Sequence, residues 1–345
     1  VAEFSRGKSE LINAIFFAHF GTRVLPSSAG RTPMCPPELQ YEAESEPAIR
    51  LLPIETRASG TTVSELKGFS EEWRSFPLDT RNPEQMAQAL SQIVEVKNVS
   101  KEAARALGLH IAEEETQIGM PVTAEGLVEI PKWRHAVINF PHPLLEQGLV
   151  ILDTPGLNAL GAEPELTLSL LPSAHAVLFV LAADAGVTKS DIEVWHNHIG
   201  TLKGDSHHSR LVVLNKIDGL WDELRDWDEV NREIERQIRD TAKHLGVSET
   251  SIYPVSAQKA LLGKIKRDRK ILELSRIGAL EDALARDLIP SKREIVRDNV
   301  SRDLGEIVRS MRLIVRQRLK GVCEHMEEIE SLGGKNMDVI DHMMS

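Results

Sequence analysis

Glu3-Phe4-Ser5-Arg6-Gly7-Lys8-Ser9, running on into Glu10-Leu11-Ile12-Asn13-Ala14, opens the chain and governs how the rest is read. With Ala2 ahead of it, the stretch nearly matches G-x-x-x-x-G-K-[ST], Ala2 standing where the pattern has its first glycine. A tight loop ahead of a helix aims backbone N–H groups at phosphates, and the field of the helix N-terminus favours the negative charge. Lys8 supplies a positive charge to the β and γ phosphates, and Ser9 offers a hydroxyl to Mg²⁺. Arg6, Gly7 and Glu10 complete the candidate nucleotide contacts of this loop and its first helical turn. The spacing predicts a helix over Lys8 to Phe20.

Working outward, short apolar, β-branched runs alternate with amphipathic stretches. This is the pattern of an α/β fold with a mostly parallel sheet flanked by helices. Strands are expected at His135 to Phe140, Leu149 to Leu152, Ala176 to Leu181, Leu211 to Leu214 and Ile252 to Val255. The first two, joined by a short Pro-containing turn, suggest an antiparallel hairpin. Further helices are expected at Pro164 to Leu170, Lys189 to Ile199, Trp227 to Leu245 and Gly278 to Leu288.

Two more motifs sit at ends of these strands. Asp153-Thr154-Pro155-Gly156 follows Leu149 to Leu152. There Asp153 can hold Mg²⁺, usually through water, and the N–H of Gly156 can sense a γ-phosphate. Asn215-Lys216-Ile217-Asp218 follows Leu211 to Leu214. Asp218 can accept hydrogen bonds from the N1–H and amino group of guanine, a donor pair adenine lacks. Lys216 can lay its stem over the base, and Asn215 can bridge neighbouring loops. Ser256-Ala257 is placed to offer a backbone N–H to the guanine O6. Any one of these is an ordinary turn sequence. In this order, each after a strand, they point to GTP and GDP as ligands.

Composition bounds the alternatives. A net charge of −11 and no recognisable basic module give no reason to expect a nucleic-acid partner. Cys35 and Cys323 lie far apart without metal-ligand spacing, which fits a reducing cytosol. No apolar run approaches the roughly 20 residues that span a bilayer. The expectation is therefore a cytoplasmic protein, peripheral to the membrane where it meets one. The chain starts inside a motif, without Met and without a preceding strand, and reads as a fragment.

Residues 1–290 read as the nucleotide-binding domain. Within it, 41–130 is a long acidic, polar region taken as a surface insertion, with a partner-binding lid as the functional alternative. Its middle carries helical spacing at Met86, Leu90, Ile93 and Val94. From Ser291 to Ser345 the chain reads as an amphipathic helix beginning a helical bundle, with Val300, Leu304, Ile307, Met311 and Ile314 at three- and four-residue intervals. The opposite face, with Arg309, Arg312, Arg316, Arg318 and Lys320, is a solvated face or a contact for acidic lipid.

Together the opening loop, Leu25-Pro26-Ser27-Ser28, Asp153-Thr154-Pro155-Gly156-Leu157-Asn158 and Asn215-Lys216-Ile217-Asp218 resemble a bacterial dynamin-like GTPase, over roughly residues 1 to 290. The resemblance implies GTP hydrolysis, a following helical bundle or stalk, and a homodimer or higher oligomer formed across the nucleotide face. It also implies membrane lipid as a partner, for remodelling or attachment. Leu157 stands where small GTPases carry a water-orienting Gln. The resemblance therefore assigns Ser5 to a charge-compensating monovalent cation, K⁺ or Na⁺, and leaves Arg6 as either an internal arginine finger or an exposed loop residue. Lys8, Thr32 and Gly156 join Ser5 as candidate catalytic residues, with Ser9, Thr32 and Asp153 as metal ligands. Arg31-Thr32-Pro33-Met34 departs from the family's Thr-Thr pair. If the working position is that of Pro33, no hydroxyl is available there, and the alternative is a nucleotide-gated scaffold with slow or lost hydrolysis.

Overall fold

The computed structural model describes the chain outside residues 1, 3–5, 27–34, 110–121, 124, 154–173, 175, 200–209, 223–225 and 345. Ser5, Thr32, Gly156, Leu157 and the helix expected at Pro164 to Leu170 lie outside the described residues. Two units are distinguished, 1–291 and 292–345.

In the first unit the described strands are β1 (Pro37–Gln40), β2 (Ala48–Pro53), β3 (Arg74–Pro77), β4 (Val96–Val99), β5 (Val128–Pro131), β6 (Trp133–Asn139), β7 (Ile151–Leu152), β8 (Val177–Ala182), β9 (Arg210–Asn215) and β10 (Ile252–Pro254). A five-stranded sheet has the order β3-β2-β6-β1-β7, a three-stranded sheet the order β10-β9-β8, and β4 pairs with β5 alone. The α/β class stands, but the parallel character is uneven. β8, β9 and β10 are parallel throughout, whereas in the larger sheet β1 is parallel to β6 and the β2–β3, β2–β6 and β1–β7 pairings are antiparallel.

The expected hairpin is not formed. A short helix, Pro143–Glu146, follows β6, and β7 pairs with β1 instead (Glu38 with Leu152, Leu39 with Ile151). The reason lies in β1, whose Pro37, Glu38 and Leu39 are buried and which fills the place between β6 and β7.

Residues 41–130 are also corrected. Residues 48–53 depart from the expected surface insertion, because β2 lies inside the larger sheet and buries Ile49, Leu51 and Leu52 completely. The helix Pro83–Ser91 starts at Asn82, whose side chain accepts from the amides of Glu84 and Gln85, and it buries Met86 and Leu90. Acidic residues in the connections masked this apolar content.

The helix Lys8–Ile12 continues as a π-helical turn, Asn13–Phe17, and a 3₁₀ turn, Ala18–Phe20. Phe17 stacks on Phe140 with centroids 4.9 Å apart, which fixes this segment to the end of β6. Lys264 donates to the carbonyl of Ala14 at 2.7 Å and so joins it to the helix Ala257–Lys266. The core behind β8 and β9 is apolar, with Phe179, Leu181, Val212 and Leu214 fully buried against Trp195, Val230 and Ile234. Trp227–Leu245 is helical as expected, started by Asp226 and stopped by Gly246 in a left-handed conformation.

The second unit is helical. Its helix runs Ile289–Met344, 56 residues, or about 84 Å at 1.5 Å per residue. Val300, Leu304, Ile307, Met311, Ile314, Val315, Leu319, Val322, Met326 and Ile329 are exposed. At 100° per residue they fall within an arc of about 140°. No helix among the described residues is long and apolar enough to cross a membrane.

Candidate functional site

Gly7 anchors the phosphate loop. Its φ of 83° lies in the left-handed region, and a Cβ there would stand 2.4 Å from Nδ2 of Asn215. Glycine is thus required twice, once by the backbone and once by the neighbour. That neighbour is the tie between loops. Asn215, at the end of β9, donates from Nδ2 to the carbonyl of Arg6 at 2.9 Å and accepts on Oδ1 from the amide of Ala257 at 3.0 Å.

Lys8 is half-buried, and its ammonium donates to the carbonyl of Ala2 at 3.3 Å. Burial lowers its pKa, while the facing charge of Asp153 pulls the other way. Asp153 follows β7, is itself buried, and has its amide bonded to the carbonyl of Pro37 at 2.9 Å. Burial raises the pKa of its carboxyl, against the charge of Lys8 and a hydrogen bond with Ser9. The loop lysine, the loop serine and the strand-end aspartate therefore meet at one place. A buried carboxylate beside a hydroxyl is an all-oxygen donor pair that suits a hard divalent cation such as Mg²⁺. No cluster of three or more His, Cys, Asp or Glu with metal-ligating placement occurs among the described residues.

On the base side Lys216 takes φ 62°, ψ 33°, a left-handed conformation uncommon for a side chain of its size. Its ammonium lies 3.6 Å from Asp184. Asp218 lies in a 3₁₀ turn, Ile217–Leu220, and its half-buried carboxylate takes no hydrogen bond from the described residues. The expected amide at Ser256-Ala257 is not on offer. The N–H of Ser256 donates to the carbonyl of Ser275 at 2.9 Å and that of Ala257 to Asn215. These two residues hold Asn215 in place, and the buried Ser256 hydroxyl caps the next helix by accepting from the amide of Lys259 at 3.1 Å. Beside them the rings of Trp221 and Trp227 meet edge-on, 5.7 Å apart, and the Lys259 ammonium sits 5.7 Å from the Trp221 ring.

Two further expectations change. The Glu10 side chain turns to Arg23 and accepts from its guanidinium at 2.7, 2.8 and 3.0 Å. Arg6 is neither a finger nor an exposed loop residue. Its guanidinium is buried and donates to Oδ2 of the fully buried Asp191 at 2.8 Å. Spacing along the chain does not reveal Asp191, because its partner is 185 positions away. The signal that could have shown it is Thr188-Lys189-Ser190-Asp191, a capping box that starts the helix Lys189–Val194.

The "Bacterial dynamin-like protein" of Nostoc punctiforme (strain ATCC 29133 / PCC 73102) is 30% identical over 165 residues, which cover 45% of this chain and 21% of that protein. "Probable transmembrane GTPase FZO-like, chloroplastic" of Arabidopsis thaliana is 31% identical over 136 residues, covering 37% of this chain and 13% of its own length. The chain thus spans well under half the length of these relatives. Among solved structures, an oligomerised bacterial dynamin pair aligns with 99% of this chain and 47% of its own at 14% identity, with a TM-score of 0.43, too low to support an inference. A sequence model described as "Dynamin family" matches residues 1–217, more than half of the chain, and takes in the phosphate loop, Asp153 and Asn215. On that match the chain belongs to the dynamin family.

Proposed function

We propose that the chain binds guanine nucleotide with Mg²⁺ and hydrolyses GTP to GDP and phosphate, with a cycle that drives self-association and membrane attachment or remodelling. The observation that carries this reading is the meeting of Lys8, Ser9 and Asp153 at one end of a loop that Asn215 ties to the base-side turn.

In this reading Asp218 accepts the two guanine donors, and an adenine would leave it unmatched. The Lys216 stem covers the base, its left-handed backbone setting the direction of the side chain. Lys8 meets the β and γ oxygens. Ser9 and Asp153 would hold Mg²⁺, which when bound would neutralise charge on the phosphates. Ser5, Thr32 and Gly156 keep the roles the family resemblance gives them: a monovalent cation, the attacking water and the γ-phosphate.

GTP turnover measured against protein concentration tests the enzymatic part. Turnover per molecule should rise with concentration, and a flat dependence over a wide range removes activation by dimerisation. Pro33 favours a second reading, a nucleotide-gated scaffold. Tight GTP binding without phosphate release, in the presence of K⁺ and lipid, would establish it.

A further inference from the structure

Arg6 is held at both ends. Its carbonyl accepts from Asn215, and its guanidinium is buried against Asp191. Oδ2 of Asp191 accepts from Arg6 at 2.8 Å, from the Thr188 amide at 3.0 Å and from the Thr188 hydroxyl at 2.7 Å. The Thr188 hydroxyl in turn accepts from the Asp191 amide at 3.2 Å and lies 3.4 Å from the Arg6 guanidinium. The segment that carries this cluster, residues 183–191, also reaches the base-side turn through Asp184 and Lys216. A buried ion pair of this kind is weak evidence for stability, because well-packed apolar residues often serve as well. What it supplies here is a fixed direction for the backbone immediately before Gly7 and Lys8, and a counter-charge for the Arg6 cation, whose own charge lowers the pKa of Lys8.

Resting on the functional reading above, we infer that Arg6 and Asp191 are positioning residues for the nucleotide. Their pairing sets the course of the phosphate loop, so Asp191 governs nucleotide affinity without touching the ligand.

The test uses the intact protein, with melting followed by calorimetry in the absence of nucleotide and affinity followed by titration with a fluorescent GDP. Asp191→Asn, which keeps the volume and the Thr188 contacts, should weaken GDP binding at least tenfold. Arg6→Met with Asp191→Asn, which keeps an acceptor for Thr188, should recover the melting midpoint lost in either single change, yet remain at least tenfold weaker for GDP. A double variant that binds GDP as the wild type does would make the pair structural and overturn the inference. So would an Asp191→Asn variant with unchanged affinity. In both of those outcomes the wild type still binds GDP, and the functional reading survives. A wild-type protein without affinity for GDP defeats that reading, and the inference with it.

Discussion

On the phosphate side of the site, the half-buried Lys8 and the buried Asp153 are charges that desolvation drives toward neutrality and that face one another. On the base side, Asn215 is a neutral side chain held by two backbone partners, and the charged Lys216 and Asp218 stay half-buried. The phosphate side is therefore electrostatically unrelaxed, and a charged ligand has much to offer it. The base side is geometrically settled, and a ligand there selects more than it stabilises. Changes on the first side should alter affinity, and changes on the second should alter folding and specificity.

The largest effect is expected from Lys8→Ala. Truncating one partner of a buried charge pair costs about 2–5 kcal/mol, so GTP affinity should fall roughly a hundredfold or more. Isothermal titration would show it, and near-normal affinity would mean the phosphates lie elsewhere. Next comes Asn215→Ala, which leaves the Arg6 carbonyl and the Ala257 amide without the partner they now share. At about 1–3 kcal/mol for each of the two buried groups, the melting midpoint without nucleotide should drop by roughly 4–12 °C. An unchanged midpoint would dissolve the contrast between the two sides. Asp218→Asn should be milder, with GTP binding about tenfold weaker, near 1.4 kcal/mol, and xanthine nucleotide gaining in relative terms. Unaltered GTP affinity would remove the guanine assignment.

The smallest effect is a dependence on pH confined to the five-stranded half. Burial, and then the neighbouring His19, push His142 from 6.5 down to about 4. The fold therefore favours its neutral form, and this contribution is present above 6.5 and lost as pH falls toward 4. Burial raises Glu38, but hydrogen bonds from His135 and Lys67 outweigh it and bring the carboxyl from 4.5 down to about 2. Its contribution holds above 4.5 and is lost between 4.5 and 2. Hydrogen exchange followed down this range should open β1 and β6 before β8, β9 and β10. Simultaneous opening would show that the halves do not differ in this way.

The parts of the site legible in the sequence are those written locally. Gly7-Lys8-Ser9 and Asn215 to Asp218 announce themselves by spacing alone, and β8 and β9 by unbroken apolar runs. What stayed hidden depends on partners remote in the chain. Nothing near Pro37 says that β1 will separate β6 from β7, because that order is set by which edge its buried residues can fill. Ala48–Pro53 was passed over because its acidic flanks dilute an apolar strand. Arg6 invited a catalytic reading because a guanidinium in a phosphate loop has obvious chemistry. Only the folded neighbourhood shows it neutralised by Asp191. The Ser256 and Ala257 amides were offered to the base for a similar reason, before their acceptors at Ser275 and Asn215 could be known.

The paired rings of Trp221 and Trp227 give the base side an optical character of its own. Of the five tryptophans, Trp73, Trp133 and Trp195 are buried, while Trp227 is 46% exposed and Trp221 begins three residues after Asp218 with a cation near its ring. Emission excited at the red edge should therefore come mainly from this pair. An arriving guanine that shifts the turn or the Lys259 ammonium would change its intensity and wavelength, making occupancy of the base site readable without any attached dye.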